Sequence, residues 1–293
     1  MPGWNFADLW ERIAQRFGDS DALVQGTRRI SWAGMDRRAN GLASHLLEAG
    51  AGQQDKVALY LYNCPEYMEA SFAAYKAGLV PVNTNYRYLD DELAYLWDNA
   101  DAVAVIFHSA FSDRVDAVRS RVPKVRTWIW VDGGHGSCPE WATPYEEASL
   151  EASGRTEAPW GRSGDDILMI YTGGTTGMPK GVMWTHEDFF LATIGPIVTA
   201  LGEPITEPGQ VAERAPESAG GVSFPVAPLM HGAAQWVATG NALNGTKMVL
   251  STARRMDPAE VWRIAADEKA MTMGLVGDAQ ARPLIEELAK DPE

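Results

Sequence analysis

A short run rich in glycine and threonine, residues 172–181, is the part of the sequence best suited to bind phosphate. It reads TGGTTGMPKG. Glycines let the backbone approach a ligand closely and turn successive N–H groups toward it. The threonine hydroxyls add contacts for phosphate oxygens or Mg²⁺, and Lys180 adds a positive charge. The run therefore predicts a site for a polyphosphate.

The spacing of this loop differs from that of a Walker A motif. A Walker A motif has Gly-Lys-Ser/Thr after four spacer residues, whereas Met178 and Pro179 separate Gly177 from Lys180, and Gly181 follows the lysine. The alternative is a hairpin that only joins two strands. A whole successive run that fits one phosphate-cradling arrangement favours the binding function.

The elements around the loop alternate between strand and helix patterns. An apolar run at 167–170 predicts a buried strand before the loop, and 182–184 a strand after it. Thr185 then caps a helix, with Asp188 in a box-like position. The remaining predicted helices are 4–17, 31–49, 65–77, 90–99, 112–122, 233–243, 258–269 and 282–288, with Pro283 in the first turn of the last. The remaining predicted strands are 57–62, 79–82, 102–107, 128–131, 248–251 and 271–276.

This alternation predicts an α/β fold with doubly wound, mostly parallel sheets. We predict a first α/β subdomain over 1–160 and a second over 161–293, which carries the phosphate loop. Residues 132–139 are predicted to form a surface loop. Residues 202–221, rich in Pro, Glu and Gly, are predicted to form a mobile loop.

Tyr171 to Gly181 resembles the signature loop of the adenylate-forming superfamily, which includes the AMP-forming acyl-CoA synthetases. The family usually has Ser or Thr where this chain has Gly173. The resemblance implies that Thr172 helps to hold Mg²⁺ and that Lys180 is catalytic. It also implies that the loop binds the β- and γ-phosphates of ATP through Thr172, Gly173, Gly174, Thr175, Thr176, Gly177 and Lys180.

A second motif, Pro228 to Gly232, resembles the family segment in which a His or an aromatic borders the acyl pocket and the pantetheine tunnel. By this likeness His231 is catalytic and lines the acyl and CoA channel, together with Gln235 and Trp236. Packing of Trp236 in the core is an open alternative. Peptide-synthetase adenylation domains usually carry Phe-Asp here, so the His-Gly pair favours an apolar acid over an amino acid. Residues 4–17, 63–67 and 78–83 also resemble the family, with less specific patterns.

The resemblance implies ATP-dependent activation of an apolar carboxylic (fatty) acid to acyl-AMP and then acyl-CoA. Its substrates are ATP, the acid and CoA, with Mg²⁺. The family's remaining motifs and its mobile carboxy-terminal domain do not occur in these 293 residues. We therefore expect an amino-terminal portion with little or no ligase activity alone. In a full-length form, Lys180→Ala and Thr172→Ala should each strongly reduce adenylation. A non-catalytic nucleotide- or acyl-binding remnant and a peptide-synthetase fragment are the alternatives.

The composition limits the partners. A net charge of −14 argues against a non-specific nucleic-acid binder, which needs an excess of Lys and Arg. Two cysteines are too few for a disulfide framework. Neither a signal-peptide pattern nor an apolar run of about 18 residues is present. We expect a cytoplasmic protein with small-molecule substrates and no integral membrane segment. The sequence leaves its oligomeric state open.

Overall fold

A computed structural model describes residues 3–150, 154–173, 177–195, 203–215 and 221–290. Its strands are β1 (Asp21–Gln25), β2 (Arg28–Ser31), β3 (Lys56–Tyr60), β4 (Val80–Asn83), β5 (Ala102–His108), β6 (Thr127–Val131), β7 (Thr143–Pro144), β8 (Ile167–Thr172), β9 (Lys180–Thr185), β10 (Val222–Pro225), β11 (Lys247–Leu250) and β12 (Thr272–Gly274). Its α-helices are α1 (Phe6–Phe17), α2 (Trp32–Glu48), α3 (Pro65–Lys76), α4 (Asp90–Asn99), α5 (Ser112–Arg119), α6 (Tyr145–Ala148), α7 (His186–Phe189), α8 (Gly209–Arg214), α9 (Gly232–Leu243), α10 (Pro258–Asp267) and α11 (Asp278–Leu288).

The described strands form a larger sheet of order β7-β6-β5-β3-β4-β8-β9 and a smaller sheet of order β12-β10-β11-β1-β2. The strands pair in parallel except in two antiparallel hairpins, β1–β2 and β8–β9. The predicted mostly parallel α/β fold is confirmed. All seven residues of β5 are buried, as expected for a parallel strand covered on both faces.

Helices cover the sheets on both sides. One apolar core joins α1, α2, α3 and α9 to strands of both sheets, so these helices lie between the sheets. A second core packs α4 and α5 on the opposite face of the larger sheet, through residues such as Trp97 and Val115. A third, smaller core packs α10 and α11 against β10, around Phe224, Val261 and Leu284. This arrangement is the doubly wound architecture that the sequence predicts.

Most predicted elements lie within a few residues of the observed ones, because local signals define their ends. Ser31 caps α2 by accepting a hydrogen bond from the backbone N–H of Gly34. Pro65 occupies the first turn of α3, where its missing N–H costs nothing. Thr185 caps α7 through the N–H of Asp188. The predicted loop over 132–139 contains neither helix nor strand.

Besides the short elements β7 and α6, which the sequence did not predict, three features differ from the sequence prediction. The β1–β2 hairpin was not predicted, because β2 is a short edge strand with two exposed arginines. The described part of the predicted loop over 202–221 contains the short helix α8, while residues 202 and 216–220 lie outside the described residues. Pro283 lies inside α11 and not in its first turn, because the helix already begins at Asp278.

The predicted boundary near residue 160 does not separate the two sheets. The larger sheet includes β8 and β9 from beyond it, and the smaller sheet combines β1 and β2 with β10 to β12. The central pairing of β1 with β11 joins the beginning of the chain to its second half. The sheets therefore do not follow the predicted division into 1–160 and 161–293. As a division into domains it stays a prediction. In the described residues we find no helix that has both the length and the apolar character needed to cross a bilayer.

Candidate functional site

The predicted phosphate loop connects the antiparallel strands β8 and β9. Thr172, the last residue of β8, pairs directly with Lys180, the first residue of β9. Directly opposed residues in a hairpin point to the same face. Both residues are exposed, so the hydroxyl and the ammonium group are available together at the mouth of the loop.

The described ends of the loop are open. Gly173 and Gly177 are exposed, and a Cβ added to either would meet nothing within 4 Å. No packing against other described residues therefore requires glycine at these two positions. Gly174, Thr175 and Thr176 lie outside the described residues. The phosphate-binding role of the loop stays a prediction.

The strand that leads into the loop is held firmly. The hydroxyl of Tyr171 donates to Oδ1 of Asn99 at 2.8 Å, and its backbone N–H donates to Oδ1 of Asn83 at 2.8 Å. Burial raises the pKa of Tyr171 to about 12, so its hydroxyl stays a neutral donor near pH 7. The residue just before Thr172 is therefore fixed through both side chain and backbone.

His231 lies at the N-cap of α9, next to β8. Its backbone N–H donates to the carbonyl of Pro228 at 3.0 Å, which closes the turn before the helix. A Cβ at Gly232 would lie 3.1 Å from Cγ2 of Ile170, so the start of α9 packs closely on β8 two residues before Thr172. The structure thus brings the two motifs singled out in the sequence to one edge of the larger sheet.

The environment of His231 favours its neutral form. Burial, together with the positive charge of Arg87, lowers the pKa of the imidazole. At pH 7 the ring therefore adds no cationic charge to the site, and one of its nitrogens can accept a hydrogen bond. Its assignment as a catalytic residue is a prediction that this geometry permits.

Gln235 and Trp236 follow on α9. The ring of Trp236 lies 5.1 Å from that of Phe189 in an edge-to-face contact, so this side chain packs partly in the core. Among the described residues, neither Oε1 of Gln235 nor Nε1 of Trp236 has a hydrogen-bond partner, although both atoms are buried. Both residues border a narrow apolar cavity with Ile170. Their place in an acyl channel stays a prediction.

A larger cavity of about 530 Å³ opens at the carboxyl ends of strands from both sheets. This is where parallel α/β folds commonly bind ligands. The charged residues of the described wall, besides His108, are four arginines and two carboxylates: Arg28, Arg87, Arg254, Arg255, Glu66 and Asp132. The cavity reaches the His231 turn through Pro228, which also lines it. We refer to it as the arginine-lined cavity.

The arginines of this cavity differ in how they are held. Arg28 forms an ion pair with Glu66. The guanidinium of Arg254 contacts His135 and lies 5.6 Å from the centroid of the Tyr62 ring. Within the described part of the chain, no carboxylate pairs with Arg87, Arg254 or Arg255. The cavity therefore keeps positive charge that a ligand could neutralise.

His108, at the end of β5, lies in the same wall. Burial, the positive charge of Arg254 and the neighbouring His135 lower its pKa to about 4. The imidazole is therefore neutral near pH 7, like that of His231. Burial is the main reason that both imidazoles stay neutral, and the positive charge of a nearby arginine lowers each pKa further.

Sequence reasoning missed these arginines. Arg254 and Arg255 come shortly after β11, and Arg87 comes four residues after β4. The ends of parallel strands meet at one edge of a sheet, so cations just beyond several strand ends were an available signal. Each arginine taken singly resembles an ordinary surface residue, and only the fold shows that they converge.

The described residues hold no prebuilt metal cage, because no group of three or more His, Cys, Asp or Glu side chains lies in position to bind an ion. The single hydroxyl of Thr172 is by itself only a weak ligand for a metal ion. Mg²⁺ commonly binds proteins through one or two side chains plus the phosphates of the substrate. The exposed hydroxyl of Thr172 is available to an ion that arrives together with a nucleotide.

Comparisons with known proteins show the family to which the chain belongs. The family model described as AMP-binding enzyme matches residues 10–286. The 3-oxocholest-4-en-26-oate–CoA ligase of Rhodococcus rhodochrous is 38% identical over 285 residues, which cover 97% of this chain and 51% of that protein. The medium/long-chain-fatty-acid–CoA/3-oxocholest-4-en-26-oate–CoA ligase of Mycolicibacterium smegmatis is 39% identical over 290 residues, which cover 98% and 52%.

A solved structure shows the same fold. The long-chain-fatty-acid-CoA ligase from Archaeoglobus fulgidus superposes with a TM-score of 0.78 at 20% identity, over 99% of this chain and 55% of that one. At that identity the likeness concerns the fold alone. The chain spans about half the length of the curated relatives described above.

Proposed function

Because the chain belongs to the AMP-binding enzyme family, we propose that it takes part in the ATP-dependent activation of an apolar carboxylic acid. The acid is converted to acyl-AMP and then to acyl-CoA. The observation that carries this proposal is the contact between β8 and the start of α9. It places the Thr172–Lys180 mouth and His231 at one edge, beside the arginine-lined cavity.

In the first step, a carboxylate oxygen of the acid bonds to the α-phosphorus of ATP. The bond from that phosphorus to the bridging oxygen breaks, and pyrophosphate leaves with the electron pair. Negative charge grows on the leaving group, so catalysis requires positive charge and N–H donors placed beforehand. In this proposal Lys180 supplies the positive charge, the N–H groups of Gly173 and Gly177 supply donors, and the hydroxyl of Thr172 would be a ligand for the Mg²⁺ of MgATP.

In the second step, the thiol of CoA loses its proton to solvent, its sulfur bonds to the acyl carbon, and AMP leaves with the electron pair of the broken carbon–oxygen bond. We place the phosphates of CoA in the arginine-lined cavity. Guanidinium groups bind phosphate through paired N–H donors, and Arg87 and Arg254 are not neutralised by carboxylates among the described residues. Pro228 lines this cavity and Gly232 packs on β8, so we place the meeting point of the two substrates beside His231, which lies between these two residues in the chain.

The acid is proposed to be apolar for two reasons. The residues that follow His231 offer no carboxylate to hold an amino group, since they are Gly232, Ala233 and Ala234. The two relatives described above are, by their names, ligases of fatty acids or of 3-oxocholest-4-en-26-oate. A fatty acid or a steroid side-chain acid therefore fits better than an amino acid.

Titration calorimetry of the purified chain with MgATP tests the nucleotide part of the proposal. Lys180→Ala and Thr172→Ala should each weaken binding, the lysine change by about tenfold or more, because a charge-assisted contact to phosphate is lost. Lys290→Ala serves as the control, since this exposed lysine pairs with Glu287 at the end of α11. Absence of MgATP binding by the unmodified chain at several millimolar would contradict the proposal. Equal MgATP affinity in the unmodified chain and both loop variants would show that the loop does not contribute to MgATP binding.

A further inference from the structure

The segment from Pro225 to Met230 carries the chain from the smaller sheet to the edge of the larger one. It begins at the end of β10 and leads into the His231 turn. Pro225 still pairs with Gly274 of β12, but Pro228 has no backbone N–H, so the segment does not continue as a regular strand. Its carbonyl groups need donors from elsewhere in the chain.

Asn63, just after β3, provides one set of partners. Its Nδ2 donates to the carbonyls of Pro225 at 3.3 Å and Ala227 at 3.0 Å. Its Oδ1 accepts from the N–H of Leu229 at 2.7 Å. One carboxamide therefore holds three backbone groups of the segment, and among the described residues it forms no hydrogen bond to β8.

Asn83, the last residue of β4, provides the second set. Its Nδ2 donates to the carbonyl of Met230 at 2.7 Å and to that of Tyr171 at 3.0 Å. Its Oδ1 accepts from the N–H of Tyr171 at 2.8 Å. The side chain is only 3% exposed. A single buried carboxamide thus holds both the residue before Thr172 and the residue before His231.

The position of Asn83 explains why a side chain does this work. In the register of β4 and β8, Val82 pairs with Met169. Beyond this pair, the side chain of Asn83 forms the two hydrogen bonds to the backbone of Tyr171. It takes the place that a peptide group of a neighbouring strand would have. Its remaining donor hydrogen is free to bind Met230. Asn is suited to this role because it carries two N–H donors and a carbonyl acceptor.

We infer that Asn83 is a positioning residue that makes the geometry of the phosphate loop and that of the His231 turn depend on each other. Asn63 fixes the turn alone. One consequence rests on the proposed function: occupancy of the nucleotide site affects the acyl and CoA side through Asn83. Such coupling needs an element that contacts both sites, and this carboxamide is one.

The test uses the full chain with Asn83→Asp and the matched control Asn63→Asp. Each change keeps the size and an acceptor of the side chain, but it removes both N–H donors and replaces the neutral carboxamide by a carboxyl group. Backbone hydrogen exchange, followed by mass spectrometry, reports on residues 170–173 and residues 227–232. Asn83→Asp should accelerate exchange in both regions, whereas Asn63→Asp should accelerate it only in the second. Exchange that rises equally throughout the chain in Asn83→Asp would indicate a merely structural role and overturn the inference.

MgATP affinity provides the functional readout. Asn83→Asp should weaken MgATP binding by about tenfold, the cost of leaving buried carbonyls without donors, and Asn63→Asp by less than about twofold. Equal losses in the two variants, or none in Asn83→Asp, would overturn the inference. If the unmodified chain binds no MgATP, the proposed function fails, while the exchange pattern still decides the positioning role. If Asn83→Asp does not fold, Asn83→Ser, which keeps one donor, replaces it in both measurements with the same expected pattern.

Discussion

Two groups of charged side chains in this chain differ in how completely they are paired. The first, which we term the buried ion cluster, consists of three cations and three carboxylates: Asp8, Glu11, Asp36, Lys76, Arg155 and Arg162. Lys76 is fully buried and lies 2.6 Å from Glu11 and 2.8 Å from Asp36. Arg162 lies 2.9 Å from Glu11. Each cation has a carboxylate partner, so little charge is left over.

The arginine-lined cavity is the second group. Its described wall holds four arginines and only two carboxylates, and one of those carboxylates, Glu66, is used by Arg28. The remaining arginines face a volume of about 530 Å³. In a chain of net charge −14, this local excess of positive charge runs against the overall composition.

The comparison distinguishes charges that stabilise the fold from charges that are available to bind a ligand. Charges buried in a balanced cluster satisfy one another, and removing one leaves the others uncompensated. Unpaired cations at the mouth of a cavity add little to stability and raise the local concentration of anions. We therefore expect changes in the first group to affect stability and changes in the second to affect binding.

The largest effect is expected in the buried ion cluster. Glu11→Gln should lower the free energy of unfolding by about 3 kcal/mol, because Lys76 and Arg162 lose a shared buried partner. Urea denaturation at pH 7, followed by circular dichroism, measures this change. Glu157→Gln is the control: its exposed pair with Arg155, at 3.5 Å, should contribute less than about 1 kcal/mol. Equal effects of the two substitutions would show that the buried position of Glu11 adds nothing to its contribution to stability.

The difference in stability between the unmodified chain and Glu11→Gln should depend on pH. Burial alone raises the pKa of Glu11, but Lys76 and Arg162 outweigh it and leave the pKa below its ordinary value of 4.5. The folded state therefore binds fewer protons than the unfolded state below pH 4.5, and the stability that Glu11 provides is lost as the pH falls through the lowered pKa. The difference between the unmodified chain and Glu11→Gln should shrink over that acid range.

An intermediate effect is expected in the arginine-lined cavity. Arg254→Gln should weaken binding of CoA by about tenfold, and the double variant with Arg87→Gln by more, because charge-assisted contacts to phosphate are lost. Calorimetry with CoA measures the change, and pantetheine, which lacks the phosphates, provides the contrast. Arg155→Gln, in the balanced cluster, should leave CoA affinity unchanged. Equal losses for CoA and pantetheine would show that the cavity does not bind the phosphates.

The smallest effect is expected at His231. Arg87 helps to lower the pKa of this imidazole, so Arg87→Gln should raise it. An NMR titration of the imidazole protons measures the shift. Arg119→Gln is the control, because Arg119 pairs with Asp116 on α5. An unchanged or lowered pKa in Arg87→Gln would show that the charge of Arg87 does not lower the pKa of His231.

Much of the fold could be predicted because the signals are local. A cap such as Ser31, a proline in a first helical turn such as Pro65, and a buried apolar run such as β5 depend only on neighbouring residues. The glycine- and threonine-rich loop is equally local, and the structure places its described ends between β8 and β9. The β1–β2 hairpin was missed because a short polar edge strand leaves almost no pattern.

The sequence by itself determined the α/β class, the position of the phosphate loop and the family resemblance. Only the tertiary structure decided that β1 pairs with β11, that Asn83 joins Tyr171 to Met230, and that arginines from separate segments line one cavity. The physical reason is the range of the interactions. Helix caps and strand runs are local, whereas strand order and side-chain convergence are set by packing between segments far apart in the chain.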